Sequence, residues 1–338
     1  MTIKVGFIGF GHFGQRRAGI LATFDDVELV GFFDPVAAQL DSPSLVSFGS
    51  VELLFRSVDA VIISVPPKFA ADYCRKALEQ GVHVFCEKPP ATSTAELGQV
   101  MSSDSNCVLA YGFNHRLHES IIEIRRIVEG GSLGNILWMR GRYGKETDDD
   151  YLSSWRCNKS LNGGGILIDQ GIHLLDLMDW MAGGFDVVQA LLSDSYLGVD
   201  NVEDNAFINL CSSHNNIVAS LHSTITQWRY LFSFELFFEK GAVTLNGLRT
   251  GSGNYGRETL TVKPDKSGSY NGSCDDFEHE YHVNNSWGTE MSSFIESIKN
   301  GQKYPYAGIN EAMNIMTLIE KIYSSAHWSH RTQRTGDR

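Results

Sequence analysis

A glycine-rich turn follows the first apolar segment of the chain. Residues 3–8 predict a buried strand, and Gly9, Gly11 and Gly14 follow it in the spacing GxGxxG. Between a strand and a helix, these glycines permit a tight turn, close approach of the backbone to a pyrophosphate, and close helix–strand packing. The helix start adds amide donors and a partial positive charge. We expect this turn to contact a dinucleotide through five residues: Gly9, Gly11, His12, Phe13 and Gly14.

An acidic residue ends the second apolar segment. Asp34 lies 20 positions after Gly14 and directly follows a strand predicted over 27–33. A carboxylate at this place accepts hydrogen bonds from both ribose hydroxyls of NAD and repels the 2′-phosphate of NADP. The residue after Asp34 is Pro35, so no arginine directly follows Asp34 to bind the 2′-phosphate of NADP. The pattern favours NAD(H) over NADP(H); the alternative is a tight turn that binds no ligand.

A second group of reactive side chains lies in the segment GGGILIDQGIHLLD, residues 163–176. Asp169, His173, Asp176 and Trp180 are spaced to share one stripe of an α-helix. Histidine titrates near neutral pH and a carboxylate can fix its orientation, so Asp169 and His173 are candidates for acid/base chemistry. The glycines would give close access. The alternatives are a solvated polar stripe or a core histidine; no third ligand is evident, so no metal site is expected.

A charged dipeptide ends another predicted strand. Glu87 and Lys88 follow the apolar run 82–86, and Pro89 and Pro90 prevent the strand from continuing. In a parallel sheet, ligands bind at the carboxyl ends of the strands. We expect this turn to present Lys88 at that edge, with Glu87 holding it and a possible cis bond before Pro89. The alternative is a rigid, charged surface turn.

The elements that must position these residues alternate in the first third of the chain. Apolar strands are predicted over 3–8, 27–33, 59–65, 82–86 and 107–111, with helices over 15–23 and 69–80. Continuous apolar strands separated by helices indicate a parallel sheet that is covered on both faces. We therefore predict a doubly wound α/β Rossmann domain over residues 1–118.

The remaining two-thirds of the chain has a different pattern. A helix is predicted from residue 118 to 129, and alternating strands over 205–212, 217–226, 232–239 and 242–248. Residues 249–285 are rich in Gly, Ser, Asn and Asp and predict a long loop, and two amphipathic helices follow over 286–299 and 309–326. We predict an α+β domain over 119–338, with a large, mainly antiparallel open sheet.

The bulk composition limits the classes of function. The chain has 338 residues, 42% of them hydrophobic, and a net charge of −12, which argues against a nucleic-acid or anionic-membrane partner. The six cysteines show no metal spacing and are expected to be reduced thiols in a cytoplasmic protein. The N-terminus predicts a strand and not a signal peptide, and no apolar run is long enough to span a membrane.

Seven motifs, taken in order, resemble the glucose–fructose oxidoreductase/inositol dehydrogenase/MocA (Gfo/Idh/MocA) family. They are GFGHFG (9–14), SVP (64–66), GVHVFCEKP (81–89), GFNHR (112–116), GSLGNI (131–136), SWR (154–156) and GGGxxxDxGxHxxD (163–176). The resemblance covers nearly the whole chain. The pairing of EKP with DxGxH at this separation is more specific than any single motif.

The resemblance implies a Rossmann domain and an open-sheet domain that forms a homodimer or homotetramer. It implies that Ser64, Pro66, Glu87 and Lys88 contact the cofactor. It assigns Lys88 to the reacting oxygen, His173 to acid/base catalysis and Asp169 to its support. Substrate contacts are expected at the following residues: Arg116, Tyr143, Trp155, Arg156, Asp169, His173 and Gln227. For the segment from Gln227 to Arg229, an exposed hairpin end or an interface patch is an equal alternative.

The residues and the family resemblance together imply an NAD(P)-dependent oxidoreductase. It would transfer a hydride between nicotinamide and a secondary alcohol or ketone of a sugar, a cyclitol or a nucleotide-activated sugar. Residues 219–262 resemble members of the family found in nucleotide-activated sugar pathways. Two alternatives stay open: an NAD-dependent glycosidase of the same fold with no net redox change, and a non-catalytic NAD-sensing protein.

Overall fold

A computed structural model describes residues 2–36, 45–103, 105–147, 149–227, 229–250 and 255–330. The chain forms two compact units. The first combines Met1–Asn114 with Ser286–Met316, and the second combines His115–Asn285 with Thr317–Arg338. The prediction of one domain over 119–338 therefore differs from the structure, because a late segment of the chain belongs to the first unit.

The first unit alternates strands and helices, as predicted. Its elements are β1 (Ile3–Ile8), α1 (His12–Leu21), β2 (Val27–Phe33), β3 (Val46–Ser47), α2 (Val51–Phe55), β4 (Ala60–Ile63), α3 (Pro67–Glu79), β5 (His83–Cys86), α4 (Thr94–Met101) and β6 (Leu109–Tyr111). Within the described residues, the sequence patterns missed β3, α2 and α4. The strand β3 has two residues and the helix α2 has five, and segments this short show no periodic pattern.

The strands of the first unit form a parallel sheet. Among the described residues the order is β3-β2-β1-β4-β5-β6, and every neighbouring pair is parallel. This is the order of a doubly wound dinucleotide-binding fold, whose strand order reverses beside β1. The apolar residues of β1 and β4 are fully buried, as expected for strands that are covered on both faces. The Rossmann prediction is confirmed.

The helix α9 (Ser286–Asn300) completes the core of the first unit. Met291, Phe294 and Ile295 are buried in the same apolar cluster as Phe7 and Phe85 of the sheet. The aromatic rings of Phe294 and Phe85 meet edge to face, with centroids 5.7 Å apart. The amphipathic pattern of residues 286–299 predicted this helix but not the unit to which it belongs, because such a pattern does not indicate which core the helix covers.

The second unit begins with a 3₁₀ turn (Asn114–Leu117) at its border. Its elements are α5 (Glu119–Gly130), β7 (Ile136–Gly144), α6 (Asp149–Ser153), a 3₁₀ turn (Trp155–Cys157), α7 (Lys159–Asn162), a π-helical turn (Leu167–Gly171), α8 (Ile172–Ala182), β8 (Val187–Ser193), β9 (Asn205–Ser212), β10 (Ile217–Thr224), β11 (Leu231–Phe238), β12 (Gly241–Asn246), β13 (Glu258–Pro264), β14 (Phe277–Tyr281) and β15 (His327–Ser329). The helix α10 (Ile309–Ser325) begins in the first unit and ends in the second.

The strands of the second unit form one mixed sheet. Among the described residues the order is β14-β13-β12-β11-β7-β10-β9-β8-β15. The pairs β7–β10 and β8–β15 are parallel, and the other neighbours are antiparallel. The prediction of a long loop over 249–285 was wrong, because β13 and β14 lie within it. The turn residues of this segment concealed two short strands, of which only β13 has alternating burial.

The helix α8 covers one face of this sheet. Gly141 of β7 gives room for Leu174 and Met178 of α8, and Gly171 gives room for Ser223 of β10. The other face exposes a row of apolar side chains on neighbouring strands, including Val187 and Val218. Residues of β7, β8, β9 and β10 line a shallow cavity of about 530 Å³ on this face.

Three further properties concern the cysteines, membrane spans and metal sites. The cysteines are free thiols: Cys74, Cys86, Cys107, Cys157, Cys211 and Cys274. Within the described residues, no helix combines the length and apolar character that crossing a membrane requires. In the same part of the chain, no group of three or more His, Cys, Asp and Glu side chains could hold a metal ion.

Candidate active site

The glycine-rich turn has the geometry that its spacing predicts. Gly9 adopts φ +81°, and a Cβ on this residue would overlap the Ser64 carbonyl. A Cβ on Gly14 would overlap the Gly9 carbonyl, so this glycine permits the close packing of α1 on the turn. A Cβ on Gly11 would meet nothing within 4 Å. Gly11 therefore faces open space, as a residue must that lets a pyrophosphate approach.

The start of α1 is suited to an anion. The helix begins at His12 with Gly11 as its N-cap, so no side chain caps its first amides, and its first turn has no acidic residue. Gly11, His12 and Phe13 are exposed. Uncapped amides at a helix N-terminus attract phosphate groups. The exposed turn therefore has the donors that a bound pyrophosphate requires.

The Asp34 carboxylate lies at the same turn. Its Oδ2 accepts a hydrogen bond from the Phe10 amide at 2.7 Å, and its Oδ1 accepts one from the Val36 amide at 3.0 Å. A carboxylate has about four acceptor positions, so each oxygen retains a second position for a ribose hydroxyl. The hydroxyl oxygen of Ser64, which borders Gly9, is buried and has no hydrogen-bond partner among the described residues. These features fit a dinucleotide.

The EKP turn follows β5 at the carboxyl edge of the sheet. The Lys88–Pro89 peptide bond is cis. The Glu87 amide donates to the Ile63 carbonyl at 2.8 Å, which fixes the start of the turn against β4. Pro66 is the residue that precedes α3, whose first residue is Pro67. The structure therefore places Lys88 beside the strands whose ends surround the glycine-rich turn.

The Glu87 side chain pairs with a buried arginine that sequence analysis missed. Arg17 of α1 is fully buried, and its Nε donates to Glu87 Oε1 at 2.8 Å. Its Nη2 lies 2.7 Å from Oε2 of Glu290 in α9, and its guanidinium lies 4.0 Å above the Trp287 ring. The pair Arg17–Glu87 joins the first helix to the EKP turn.

Asp169 in the second unit is held by two cations. Lys145 Nζ lies 3.0 Å from Asp169 Oδ2, and Arg156 Nε lies 3.3 Å from Oδ1. The Tyr151 hydroxyl also donates to Oδ2, at 3.4 Å. The Arg156 guanidinium covers the Trp155 ring at 4.5 Å. Of the predicted substrate residues, Arg156 is therefore brought to Asp169, with Trp155 against its guanidinium. Lys145, which was not predicted, is the second cation at this carboxylate.

His173 stacks on a second histidine. The rings of His173 and His115 are nearly parallel, with centroids 3.8 Å apart, and both residues are buried. His115 Nε2 lies 3.0 Å from the Tyr143 hydroxyl. Burial raises the pKa of Tyr143 above its ordinary value, so this phenol keeps its proton at working pH. Tyr143, which was predicted to contact substrate, contacts His115 from within the core.

The expected helical stripe is interrupted. Residues Leu167–Gly171 form a π-helical turn, and the α-helix starts only at Ile172. Such turns often occur at functional sites and change the direction of the side chains they carry. Asp176 pairs with Arg116 in a buried two-bond ion pair at 2.7 and 2.8 Å, and Arg116 also covers Trp180. Arg116, which was predicted to contact substrate, is therefore held in a buried ion pair.

The glycine triplet has a reason inside the protein. A Cβ on Gly165 would overlap the Glu203 backbone, and one on Gly164 would overlap the Tyr323 hydroxyl. The Glu203 carboxylate accepts the amides of Gly165 and Leu167 at 2.8 and 2.9 Å. These glycines were expected to open access for a ligand. In the structure, Gly164 and Gly165 instead allow close internal packing around the buried Glu203 carboxylate.

Gln227 lies at the end of the same strands. Its amide donates to the Lys145 carbonyl at 3.2 Å, and its side chain packs on Gly144. This places Gln227 next to the Lys145–Asp169 pair. Trp228, which the sequence grouped with it, lies outside the described residues.

Comparison with known proteins agrees with both units. A family model described as "Oxidoreductase family, NAD-binding Rossmann fold" matches residues 3–109, and one described as "GFO/IDH/MocA C-terminal domain" matches residues 121–244. Together they match more than half of the chain.

Individual relatives are more distant. The chain is 31% identical over 206 residues to D-glucoside 3-dehydrogenase of Escherichia coli (strain K12), a match that spans 57% of this chain and 58% of that protein. It is 24% identical over 349 residues to inositol 2-dehydrogenase of Rhizobium meliloti (strain 1021), which covers 96% and 97% of the two chains. The solved structure of a levoglucosan dehydrogenase in complex with NADH has a TM-score of 0.81 at 20% identity, over 96% of this chain and 97% of the other. The two family matches, which together cover more than half of the chain, show that the chain belongs to the Gfo/Idh/MocA family of oxidoreductases.

Proposed function

We propose that this protein is an NAD(H)-dependent dehydrogenase that acts on a secondary hydroxyl of a sugar, a cyclitol or a nucleotide-activated sugar. The observation that supports this proposal is that one chain contains both parts of the chemistry. The first unit has a dinucleotide turn with open space above Gly11, and the second buries Asp169 and His173, which are four positions apart in the sequence. Relatives named as dehydrogenases of glucosides and inositol support the substrate class.

The proposed chemistry assigns one role to each side chain. When bound, the nicotinamide supplies the hydride acceptor. A carbinol carbon loses hydride readily only as its hydroxyl proton leaves. Lys88 stabilises the negative charge that develops on the oxygen, and His173 accepts the proton. In the reverse direction the same two groups polarise and protonate a ketone. Asp169 supports His173.

The test is turnover with a panel of sugars, polyols and nucleotide-activated sugars. We expect NADH to form from NAD⁺, seen as absorbance at 340 nm, in proportion to the substrate oxidised. Sugar release from a glycoside without net NADH would instead identify a glycosidase. Tight NADH binding without turnover on the whole panel would identify an NAD sensor. Either result would contradict the dehydrogenase proposal.

We also propose that Asp34 selects NAD(H) over NADP(H). Its carboxylate would accept ribose hydroxyls and repel a 2′-phosphate. Hydrogen bonds to a charged group contribute about 1.5–3 kcal/mol, so Asp34→Ala should weaken NADH binding about tenfold or more while NADPH binding is kept or improved. The control is Asp25→Ala, which removes an exposed carboxylate in the loop after α1. An unchanged ratio of the two dissociation constants would remove Asp34 from this role.

The assembly is proposed to be a homodimer or homotetramer formed through the exposed face of the nine-stranded sheet. On this face Val187, Leu191, Phe207 and Val218 are each between 45% and 51% exposed. Apolar rows of this kind on a sheet face indicate an interface. The cytoplasm is the proposed compartment, consistent with free thiols at all six cysteines.

A further inference from the structure

We propose that Lys145 is a positioning residue of the site: it holds the Asp169 carboxylate in its charged form and in one orientation. The role rests on the proposed function, in which Asp169 supports His173. Neither the motifs of the chain nor the family resemblance singles out Lys145. The inference comes from the contacts around Asp169.

The geometry around Asp169 divides the carboxylate between two cations. Lys145 approaches Oδ2 and Arg156 approaches Oδ1, so each oxygen has its own positive partner. The Asp169 side chain is 7% exposed, that of Lys145 17% and that of Arg156 25%. A carboxylate removed from water in this way loses its charge unless positive groups compensate it. Lys145 is the closer and less exposed of the two.

The backbone of Lys145 is fixed by the sheet. Its amide donates to the Thr224 carbonyl at 3.0 Å, and its carbonyl accepts from the Gln227 amide at 3.2 Å. These bonds continue the parallel pairing of β7 with β10 past the end of both strands. The ammonium group also lies 4.1 Å above the Tyr151 ring, which restricts its stem. Lys145 therefore reaches Asp169 from a rigid element. A group that sets the orientation of another group must be held in this way.

Other ionisable groups also lie near Asp169. They include Tyr143 of β7, Tyr151 of α6, Arg156 and Cys157 of the 3₁₀ turn, and Tyr255. Burial first, and then the Asp169 charge, raise the pKa values of Tyr151 and Cys157, so both stay neutral at working pH. Arg156 alone among them shares the positive charge with Lys145.

The experiment follows the protonation of Asp169 directly. In the full-length protein labelled with ¹³C at aspartate carboxyl carbons, the Asp169 signal is identified by its loss in Asp169→Asn. Its titration midpoint is measured in wild type, Lys145→Met, Lys145→Arg and Arg156→Met. Lys159→Met removes an exposed lysine nearby and serves as the control. The pH dependence of turnover is recorded for the same set.

We expect the Asp169 midpoint to rise by about one pH unit or more in Lys145→Met, because a neighbouring opposite charge lowers a carboxylate pKa by one to three units. Lys145→Arg keeps the cation and should restore most of the wild-type midpoint, and the control should not move it. The acid limb of the turnover profile should shift upward with the midpoint.

An Asp169 midpoint in Lys145→Met equal to that of wild type would overturn the proposal. If that variant does not fold, Lys145→Gln, which keeps the polar stem, is judged by the same criterion. The titration needs no turnover. A wild-type protein without activity would therefore contradict the proposed function, while the carboxyl signal would still decide the role of Lys145.

Discussion

Arg17 provides a sharp test of how the first unit is held together. Arg17→Met keeps most of the aliphatic volume of the side chain but removes a guanidinium that is fully buried. The change leaves Glu87, which is 12% exposed, and Glu290, which is 1% exposed, without their positive partner. It also removes the contact of the guanidinium with the Trp287 ring at 4.0 Å.

The magnitude follows from the burial of the two carboxylates. Removing one partner of a buried ion pair costs about 3–5 kcal/mol, because a charge remains buried without compensation. Glu290 can avoid part of this cost by taking up a proton. Burial raises its pKa to about 7 even though Arg17 lowers it, and loss of Arg17 should raise it further. A folded pKa above the unfolded value means that the protonated form stabilises the fold and that stability is lost as pH rises through the folded pKa.

The loss of stability in Arg17→Met should therefore depend on pH. Above pH 7 the variant continues to lose about 1.4 kcal/mol per pH unit until Glu290 ionises, whereas wild-type Glu290 has already titrated. We expect the difference in unfolding free energy to be smaller at pH 6 than at pH 8.5, by about 1–2 kcal/mol. Glu290→Gln in the Arg17→Met background should remove this pH dependence.

The assay is urea unfolding followed by circular dichroism at both pH values. Arg75→Met is the control, because Arg75 makes comparable ion pairs with Asp72 and Glu79 on the surface of α3. Surface pairs contribute about 0–1 kcal/mol. A loss in Arg17→Met no larger than in the control, or a loss that is the same at pH 6 and pH 8.5, would refute the reasoning.

Three further predictions concern the glycines, a buried carboxylate and the open sheet. Gly11→Ala should fold with wild-type stability but bind NADH more weakly, whereas Gly14→Ala should lose both stability and NADH binding. Thermal unfolding measures the stability and NADH fluorescence measures the binding. An equal loss of stability in the two variants would contradict the geometry of the turn. Burial raises the pKa of Glu203 to about 7, so the stabilising effect of its protonated side chain is lost as pH rises from about 4.5 to 7. Over this range the unfolding free energy of Glu203→Gln should fall by up to about 3 kcal/mol less than that of wild type. Parallel curves for the two proteins would disprove this prediction. Phe207→Glu should dissociate the proposed homo-oligomer, as measured by light scattering after size exclusion, and a mass equal to that of wild type would exclude this face as the interface.

Much of the first unit could be predicted because its signals are local. The strands β1, β2, β4 and β5 are continuous apolar runs that end at turn residues, and each was expected within about two residues of its observed bounds. The roles of Gly9 and Gly14 in the turn follow from backbone sterics, which the spacing alone encodes. The cis bond before Pro89 was anticipated from the proline itself.

The parts that escaped prediction depend on contacts between distant residues. Arg17 and Glu87 are 70 positions apart, and the charge of Arg17 gave no sign that it would be buried. Lys145 reaches Asp169 across 24 positions, because β7 ends beside the start of a helix that pattern analysis took as regular. The glycine triplet was assigned to a ligand because Glu203 and Tyr323, which require it, lie far along the sequence. Residues that act through tertiary contacts leave no periodic signal.

The central claim is that Lys88 and His173 carry proton and charge transfer in an NAD-dependent reaction. The most direct measurement is single-turnover NADH formation in wild type, Lys88→Met and His173→Asn, beside the NADH dissociation constant of each. General acid–base catalysis contributes about 10²–10⁴-fold, so we predict at least a hundredfold loss of the rate in both variants, with NADH affinity close to wild type. Full activity in both variants would contradict the account.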